Sequence, residues 1–248
     1  KVELTKVTIT NTADTTQKIT STVAIPMYAR SASNIRDHRH VTSLLHRTFT
    51  IKDGIMIYPT LTFDERGHNK NTVFYGALAK EMVNGKMESP VSFCPVTEEF
   101  IGEGGNFENP YYVAKNKPLP YTEGQEVDGY ETVAAIRFNN CELKPGESRS
   151  YVIALEYGTS KEELESIGSK YIDVDSFYKY LEETKNYWQD KINVSYNSAD
   201  KNFDNWMHWV NFQPMLRRIY GCSFLPHHDY GKGGRGWRDL WQDYLSLL

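Results

Sequence analysis

The sequence has few cysteines and no long apolar segment. Its 248 residues contain three cysteines, Cys94, Cys141 and Cys222, which are widely spaced and odd in number. This pattern argues against a disulfide framework and favours reduced, buried thiols in a cytoplasmic protein. No apolar run approaches the roughly 20 residues that a transmembrane helix needs, and no signal peptide is visible. The sequence therefore predicts a cytoplasmic chain without a membrane segment.

An excess of positive charge is also missing. Lysine and arginine together number 28 against 32 acidic residues, which gives a net charge of −4. Such a balance gives no electrostatic reason to expect a nucleic acid or an anionic membrane as partner. The one lysine in the glycine-rich segment near the end, Lys232, is followed by Gly233. A Walker phosphate loop requires serine or threonine there, so that kind of nucleotide site is excluded.

Metal ligands are sparse as well. His38 and His40 have His-x-His spacing, but no third ligand lies at a telling distance in the sequence. We therefore predict that these two residues, together with His46, are solvent-exposed loop histidines and not a metal site.

Aromatic residues and alternating apolar residues are what the chain does have. It contains 17 Tyr, 11 Phe and 5 Trp, which favours a β-rich body, contact with carbohydrate, or both. Alternation predicts an antiparallel hairpin with one solvated face over residues 1–28, and a second hairpin over residues 47–59 that turns at Asp53. Two further strands follow, over residues 130–138 and 149–157. Seven to nine strands with short connections and no intervening helices predict a β-sandwich.

The pattern becomes helical after Thr159. Ser160-x-x-Glu163 resembles a capping box, and helical spacing follows over residues 174–192 and again from Asp200. The chain is therefore predicted to be α+β and multidomain, with a β-sandwich over residues 1–159, a helical linker over 160–198 and a further helical domain over 199–248.

The last stretch, HHDYGKGGRGWRDLWQDYLSLL, carries the side chains that a sugar site needs. Glycines let the backbone approach a small ligand, planar bidentate groups bind vicinal hydroxyls, and aromatic faces cover the apolar face of a sugar ring. The alternative is that the Asp and Arg side chains only cap a helix and interact with its dipole. The predicted substrate-binding residues are Arg235, Trp237, Arg238, Asp239, Gln242 and Asp243.

A second group of carboxylates lies in the segment FCPVTEEFIGEGGNFENP. Glu98, Glu99, Glu103 and Glu108 surround three glycines there. Clustered carboxylates can perform acid–base chemistry if they lie on opposite sides of a bond. A solvated loop is the more common explanation for such a cluster, and we favour it here.

The predicted order of a β-sandwich, linker helices and a final motif resembles the inverting β-glycoside phosphorylases of glycoside hydrolase family 94 and the related family 161. The motif is Gly236-Trp237-Arg238-Asp239-Leu240-Trp241-Gln242-Asp243. Two further segments are similar to family sequences: Trp209-Val210-Asn211-Phe212-Gln213 and Phe100-Ile101-Gly102. The family usually has Phe where Trp237 stands, and its preceding arginine lies further upstream than Arg235.

The resemblance implies that an (α/α)6 barrel begins near residue 200 and continues beyond this chain. It implies that Arg238 and Asp239 belong to the donor-sugar subsite, supported by Gln242 and Asp243. In the family the general acid is an Asp in an Asp-Trp-Asn-Asp motif, which does not occur here, so no catalytic residue is expected in this chain. The implied partners are an oligosaccharide, inorganic phosphate as co-substrate, the remainder of the same polypeptide and a second copy in a homodimer.

Two alternatives follow from the same residues. A hydrolase or transglycosylase is compatible with the same fold, because fold does not determine the reaction. A non-catalytic carbohydrate-binding β-sandwich with helices appended is the other alternative.

Overall fold

The computed structural model describes residues 1–29, 43–64, 67–192, 194–220 and residue 241. The chain divides into two compact units, Lys1–Tyr178 and Lys179–Leu248. The domain boundaries placed at residues 160 and 199 remain predictions. No helix in the described part of the chain is long and apolar enough to cross a membrane.

The first unit contains twelve strands among its described residues, and all pairings between strands are antiparallel. The strands are β1 (Val2–Thr10), β2 (Gln17–Met27), β3 (His46–Ile51), β4 (Gly54–Pro59), β5 (Leu61–Asp64), β6 (Gly67–Lys70), β7 (Phe74–Val83), β8 (Lys86–Glu88), β9 (Ser92–Val96), β10 (Glu126–Asp128), β11 (Thr132–Leu143) and β12 (Ser148–Gly158).

The strands form a large sheet, a small sheet and a separate hairpin. The large sheet has seven strands in the order β1-β12-β7-β4-β3-β10, with β8 paired to β7. The small sheet has three strands in the order β2-β11-β9, and β5 pairs with β6 alone. The mixed fold with antiparallel sheets confirms that part of the predicted architecture, whereas the barrel remains a prediction.

The two larger sheets pack face to face because successive side chains of a strand point to opposite faces. Ile55 and Ile57 of β4 share a buried cluster with Ile136 of β11, between the sheets. The intervening Met56 points to the opposite face of the large sheet, into a second cluster. Val133 of β11 likewise joins a third cluster on the outer face of the small sheet. Central strands are therefore apolar on both faces, which explains their nearly continuous apolar sequence.

The predicted hairpin over residues 1–28 is wrong in its pairing. Both strands exist, but β1 pairs with β12 and β2 pairs with β11, so they belong to different sheets. Asn11 directs this crossing: its side-chain amide donates to the carbonyl oxygens of Thr15 (2.9 Å) and Leu143 (2.8 Å). Its backbone N–H also donates to the carbonyl oxygen of Glu147 at 2.9 Å. The β1–β2 and β11–β12 connections are thereby joined.

The hairpin predicted over residues 47–59 is confirmed. β3 pairs with β4 from His46↔Pro59 to Ile51↔Gly54, and Asp53 occupies the turn with a φ of 69°. Asp53 is buried and forms an ion pair with Lys80 of β7 at 3.1 Å.

Two short helices interrupt the strands, contrary to the prediction that no helices intervene. They are α1 (Thr97–Ile101) and α2 (Tyr111–Ala114). Each is too short to show helical periodicity in the sequence. Phe100 of α1 is fully buried against the outer face of the small sheet, in the third cluster.

Three longer helices follow the last strand: α3 (Lys161–Tyr171), α4 (Val174–Lys191) and α5 (Lys201–Tyr220). The capping box is confirmed, because the hydroxyl of Ser160 accepts a hydrogen bond from the Glu163 N–H at 3.2 Å. The Glu163 carboxylate accepts in return from the N–H of Thr159 at 2.7 Å, one residue before the usual position. Leu164 and Ile172 bury α3 against the free face of the large sheet.

In the second unit, Asp200 caps α5 by accepting hydrogen bonds from the N–H groups of Asn202 (2.9 Å) and Phe203 (3.3 Å). The carboxylate of Asp204 accepts from the Ser198 N–H at 2.9 Å and lies 3.1 Å from Lys201. The hydrogen bond from the Ser198 N–H is the largest of the effects that lower the pKa of Asp204.

Candidate functional site

The predicted sugar-binding helix lies almost entirely outside the described residues. Its neighbour Trp241 is described, in helical conformation and 55% exposed. The predicted binding residues themselves, Arg235, Trp237, Arg238, Asp239, Gln242 and Asp243, lie outside the described residues, as do His38, His40 and Cys222.

The described residues contain a cavity of about 620 Å³ beside helix α1. Three segments that are distant in sequence line it: residues 43–44, the start of α1 with the loop that follows it, and residues 129–131 immediately before β11. This α1 cavity is defined by Leu44, Glu98, Asn106, Phe107, Tyr130 and Glu131, among others.

Glycine and an asparagine turn shape the loop over the α1 cavity. Gly102 has a φ of 83°, and its carbonyl oxygen accepts from the Gly105 N–H at 2.9 Å. A Cβ atom on Gly105 would overlap the Ile101 carbonyl, so only glycine fits there. The side-chain oxygen of Asn106 then accepts from the N–H groups of Glu108 (2.9 Å) and Asn109 (3.1 Å). These bonds fix the backbone on either side of Phe107.

The four clustered glutamates do not converge on one point. Glu98 lines the α1 cavity, whereas Glu99 accepts a hydrogen bond from the Tyr121 hydroxyl at 3.3 Å. Burial and this bond together raise the pKa of Tyr121 to about 12. Glu103 and Glu108 are exposed, as expected for a solvated loop.

A fifth acidic residue, Glu131, joins Glu98 in the wall of the α1 cavity. It also accepts a hydrogen bond from the Tyr28 hydroxyl at 3.3 Å. Sequence reasoning missed Glu131 and Tyr130 because they lie about thirty residues from the glutamate cluster. The only available signal was an aromatic–acidic pair directly before a strand.

His46 lies behind this wall and is buried, so its predicted solvent exposure is wrong. Its Nδ1 lies 3.5 Å from the Thr132 hydroxyl, and its Nε2 has no hydrogen-bond partner among the described residues. Burial lowers the pKa of His46 to about 4, although the backbone of Tyr130 and the charge of Glu131 oppose this. His46 is therefore a neutral structural residue near pH 7.

The described lining of the α1 cavity contains no activated nucleophile. The nearby Cys94 is buried, and burial raises the pKa of its thiol to about 12, so it is not a thiolate at neutral pH. Within the described ranges, no group of three or more His, Cys, Asp or Glu residues could hold a metal ion.

A buried carboxyl outside the α1 cavity also escaped sequence reasoning. Glu156 of β12 is 5% exposed, and neither of its carboxyl oxygens has a hydrogen-bond partner in the described part of the chain. It lies opposite Gly76, whose missing side chain leaves room for it. Burial raises its pKa to about 8. Glu81, by contrast, has Arg149 at 3.9 Å.

The comparisons with known proteins bear on the first 174 residues. A comparison with curated proteins gives no match. The family model described as "Glycosyl hydrolase 94, supersandwich domain" matches residues 1–174, which cover both sheets and helix α3. The chain therefore belongs to the glycosyl hydrolase 94 family, and residues 1–174 are its supersandwich domain.

Proposed function

We propose that this chain is part of a glycoside phosphorylase that cleaves a β-linked gluco-oligosaccharide with inorganic phosphate. The observation that carries the proposal is the family match over residues 1–174, followed in the same chain by Arg238-Asp239-Leu240-Trp241-Gln242-Asp243. The products would be α-glucose 1-phosphate and an oligosaccharide shortened by one unit.

The proposed reaction needs one proton donor and no base. A phosphate oxygen attacks C1 of the terminal glucosyl unit, the glycosidic C–O bond breaks, and the general acid protonates the leaving oxygen. An inverting hydrolase needs a second carboxylate to activate water, whereas phosphate is already an anionic nucleophile. Positioning of the sugar and protonation of the leaving group then supply the acceleration.

The residues proposed to hold the donor glucosyl unit are those predicted from the sequence. Asp239 would accept hydrogen bonds from glucosyl hydroxyls beside Arg238, with Gln242 and Asp243 as supporting contacts. Trp237 would cover an apolar sugar face, and Arg235 is proposed as a further contact. The general acid is proposed to lie in the remainder of the polypeptide, because the Asp-Trp-Asn-Asp motif does not occur among the 248 residues. No cofactor is required, and we propose a cytoplasmic homodimer.

Phosphate dependence tests the reaction. The full-length protein is incubated with β-1,2-, β-1,3- and β-1,4-linked gluco-oligosaccharides, with and without phosphate, and sugar 1-phosphate is assayed. Sugar 1-phosphate formed only with phosphate is the expected result and identifies the linkage. Free glucose released without phosphate would replace the proposal with a hydrolase. Absence of both products, with oligosaccharide binding retained, would favour a carbohydrate-binding protein without catalysis.

Asp239→Asn tests the donor subsite. Loss of a charged acceptor from a hydroxyl-binding site should lower kcat/KM by at least about a hundredfold, since unpaired polar groups in such sites cost several kcal/mol. Asp190→Asn, at an exposed position of α4, is the matched control and should leave kcat/KM within about twofold. Turnover by Asp239→Asn within a few-fold of the parent would remove Asp239 from the site.

A further inference from the structure

We infer that the α1 cavity of the supersandwich domain is a binding site for an uncharged β-linked oligosaccharide. The inference deepens the proposed function, from which the choice of sugar is taken. It concerns a site built by residues 43–131 and not by the donor segment at residues 235–243.

The size and shape of the α1 cavity suit a small sugar chain. Its volume of about 620 Å³ lies within the range of about 300–1,000 Å³ that is usual for small-molecule sites. Three segments that are distant in sequence form it, and hydrogen bonds fix the loop that carries Phe107. A preformed cavity loses little conformational entropy when a ligand enters.

Two partly exposed aromatic rings give the α1 cavity apolar surfaces. Tyr130 is 53% exposed and Phe107 is 40% exposed. The Phe107 ring lies 6.3 Å from the ring of the fully buried Phe100, which holds it in place on the loop. Exposed rings that are supported from behind are suited to cover the C–H faces of sugar units, which are apolar.

The charge of the α1 cavity selects the ligand class. Glu98 and Glu131 line it, and there is no Lys, Arg or His among the described lining residues. The Glu98 carboxylate disfavours an anion such as phosphate or a sugar phosphate at this wall. Carboxylates accept hydrogen bonds from sugar hydroxyls, and the Asn106 amide and Tyr130 hydroxyl can donate. The α1 cavity therefore suits an uncharged oligosaccharide and not the phosphate co-substrate.

An unsatisfied hydroxyl in the same wall supports the assignment. Thr97 lines the α1 cavity and is 6% exposed, and its Oγ1 has no hydrogen-bond partner among the described residues. Buried hydroxyls are nearly always hydrogen-bonded, so a group entering the α1 cavity can supply the missing bond.

Equilibrium binding without phosphate tests the inference. The full-length protein carrying Asp239→Asn, which weakens the proposed donor subsite, is titrated by calorimetry with gluco-tetrasaccharides of each β-linkage. Saturable binding of at least one tetrasaccharide is expected. Adding Tyr130→Ala or Glu98→Gln should raise its Kd about tenfold or more, because each removes a direct contact. Adding Tyr187→Ala should leave Kd unchanged, since Tyr187 is equally exposed (53%) but lies on α4.

The outcomes separate this inference from the proposed function. Unchanged Kd in both Tyr130→Ala and Glu98→Gln, in proteins with parental thermal unfolding, would overturn the inference even if phosphorolysis is present. Absence of saturable binding would also overturn it. Tighter binding of a glucosamine oligomer than of any neutral tetrasaccharide would assign a cationic ligand instead. Tyr130-dependent binding without any phosphorolysis would retain the inference and reject the proposed reaction.

Discussion

Glu156 shows how strongly one buried carboxyl can respond to its surroundings. It lies between the large sheet and α3, opposite Gly76, without a hydrogen-bond partner among the described residues. Burial is the main cause that raises its pKa to about 8, and the nearby Glu163 adds to it. The protein therefore holds Glu156 mostly protonated at neutral pH, because an isolated buried charge is costly.

Glu156→Gln should increase the free energy of unfolding at pH 8 and change it much less at pH 4. The carboxyl has a usual pKa of 4.5 and a pKa of about 8 in the fold. Its contribution is therefore complete below pH 4.5 and is lost as the pH rises to 8. An amide does not titrate, so the gain at pH 8 should be on the order of 3 kcal/mol.

Urea denaturation of the parent, Glu156→Gln and Glu3→Gln at both pH values measures this effect. Glu3 is exposed on the neighbouring strand and serves as the control. An equal difference between Glu156→Gln and the parent at both pH values would show that Glu156 ionises normally.

At the scale of elements, helix α3 packs closely against the large sheet because two positions at the contact, Gly158 and Gly168, have no side chain. A Cβ atom on Gly168 would overlap the Cδ2 atom of Leu78, and one on Gly158 would overlap Leu164. These glycines let the Leu164 and Ile172 side chains reach the cluster on the sheet.

Gly168→Ala should destabilise the first unit by about 1–3 kcal/mol through overpacking. Alanine favours helix by about 1 kcal/mol over glycine, so a net loss of stability would show that the contact outweighs the propensity. Glu165→Ala, at an exposed position of the same helix, is the control and should change stability by less than about 0.5 kcal/mol. A stabilised Gly168→Ala variant would mean that α3 does not pack this closely.

Ser160→Ala should lower the free energy of unfolding by about 1 kcal/mol, because α3 loses the acceptor for the Glu163 N–H. Ser160→Asp keeps an acceptor at the same position and should restore most of the loss. Thermal unfolding of the three proteins measures both effects. Equal losses in Ser160→Ala and Ser160→Asp would contradict a capping role.

At the scale of the whole molecule, two buried groups oppose each other in the pH dependence of stability. The pKa of His46 falls from its usual 6.5 to about 4, so the unfolded chain binds more protons there and stability is lost as the pH falls from 6.5 to 4. Glu156 acts in the opposite direction between pH 4.5 and 8.

The combined contribution of these two groups should be nearly flat between about pH 4.5 and 6.5 and should decrease on both sides. Thermal unfolding of the parent and of Glu156→Gln across pH 4–9 measures it. The variant should lose the alkaline decrease, and its acid decrease, which His46 then produces unopposed, should begin near pH 6.5 instead of near pH 4.5. An alkaline decrease of equal size in both proteins would contradict the assignment.

The sequence by itself predicted local structure well where periodicity and turn chemistry are strong. Asp53 in a two-residue turn, Ser160 at a helix start and Asp200 before α5 occupy the places that their side chains favour. The short helices α1 and α2 escaped because four or five residues carry no period. The predicted donor site, including Asp239, remains a prediction.

Local sequence determined most of the longer strands and the three long helices of this protein. The motifs in the sequence also indicated the family, which the match over residues 1–174 shows. Only the tertiary structure decided which strands pair. β1 and β2 follow each other along the chain but lie in different sheets, since Asn11 bonds to the distant Leu143 and Glu147. Burial was decided in the same way: the pKa values of His46 and Glu156 depend on segments that pack around them from elsewhere in the chain. Strand and helix propensity depends on nearby residues, whereas the hydrogen-bonded pairing of strands and the burial of side chains depend on contacts across the whole fold.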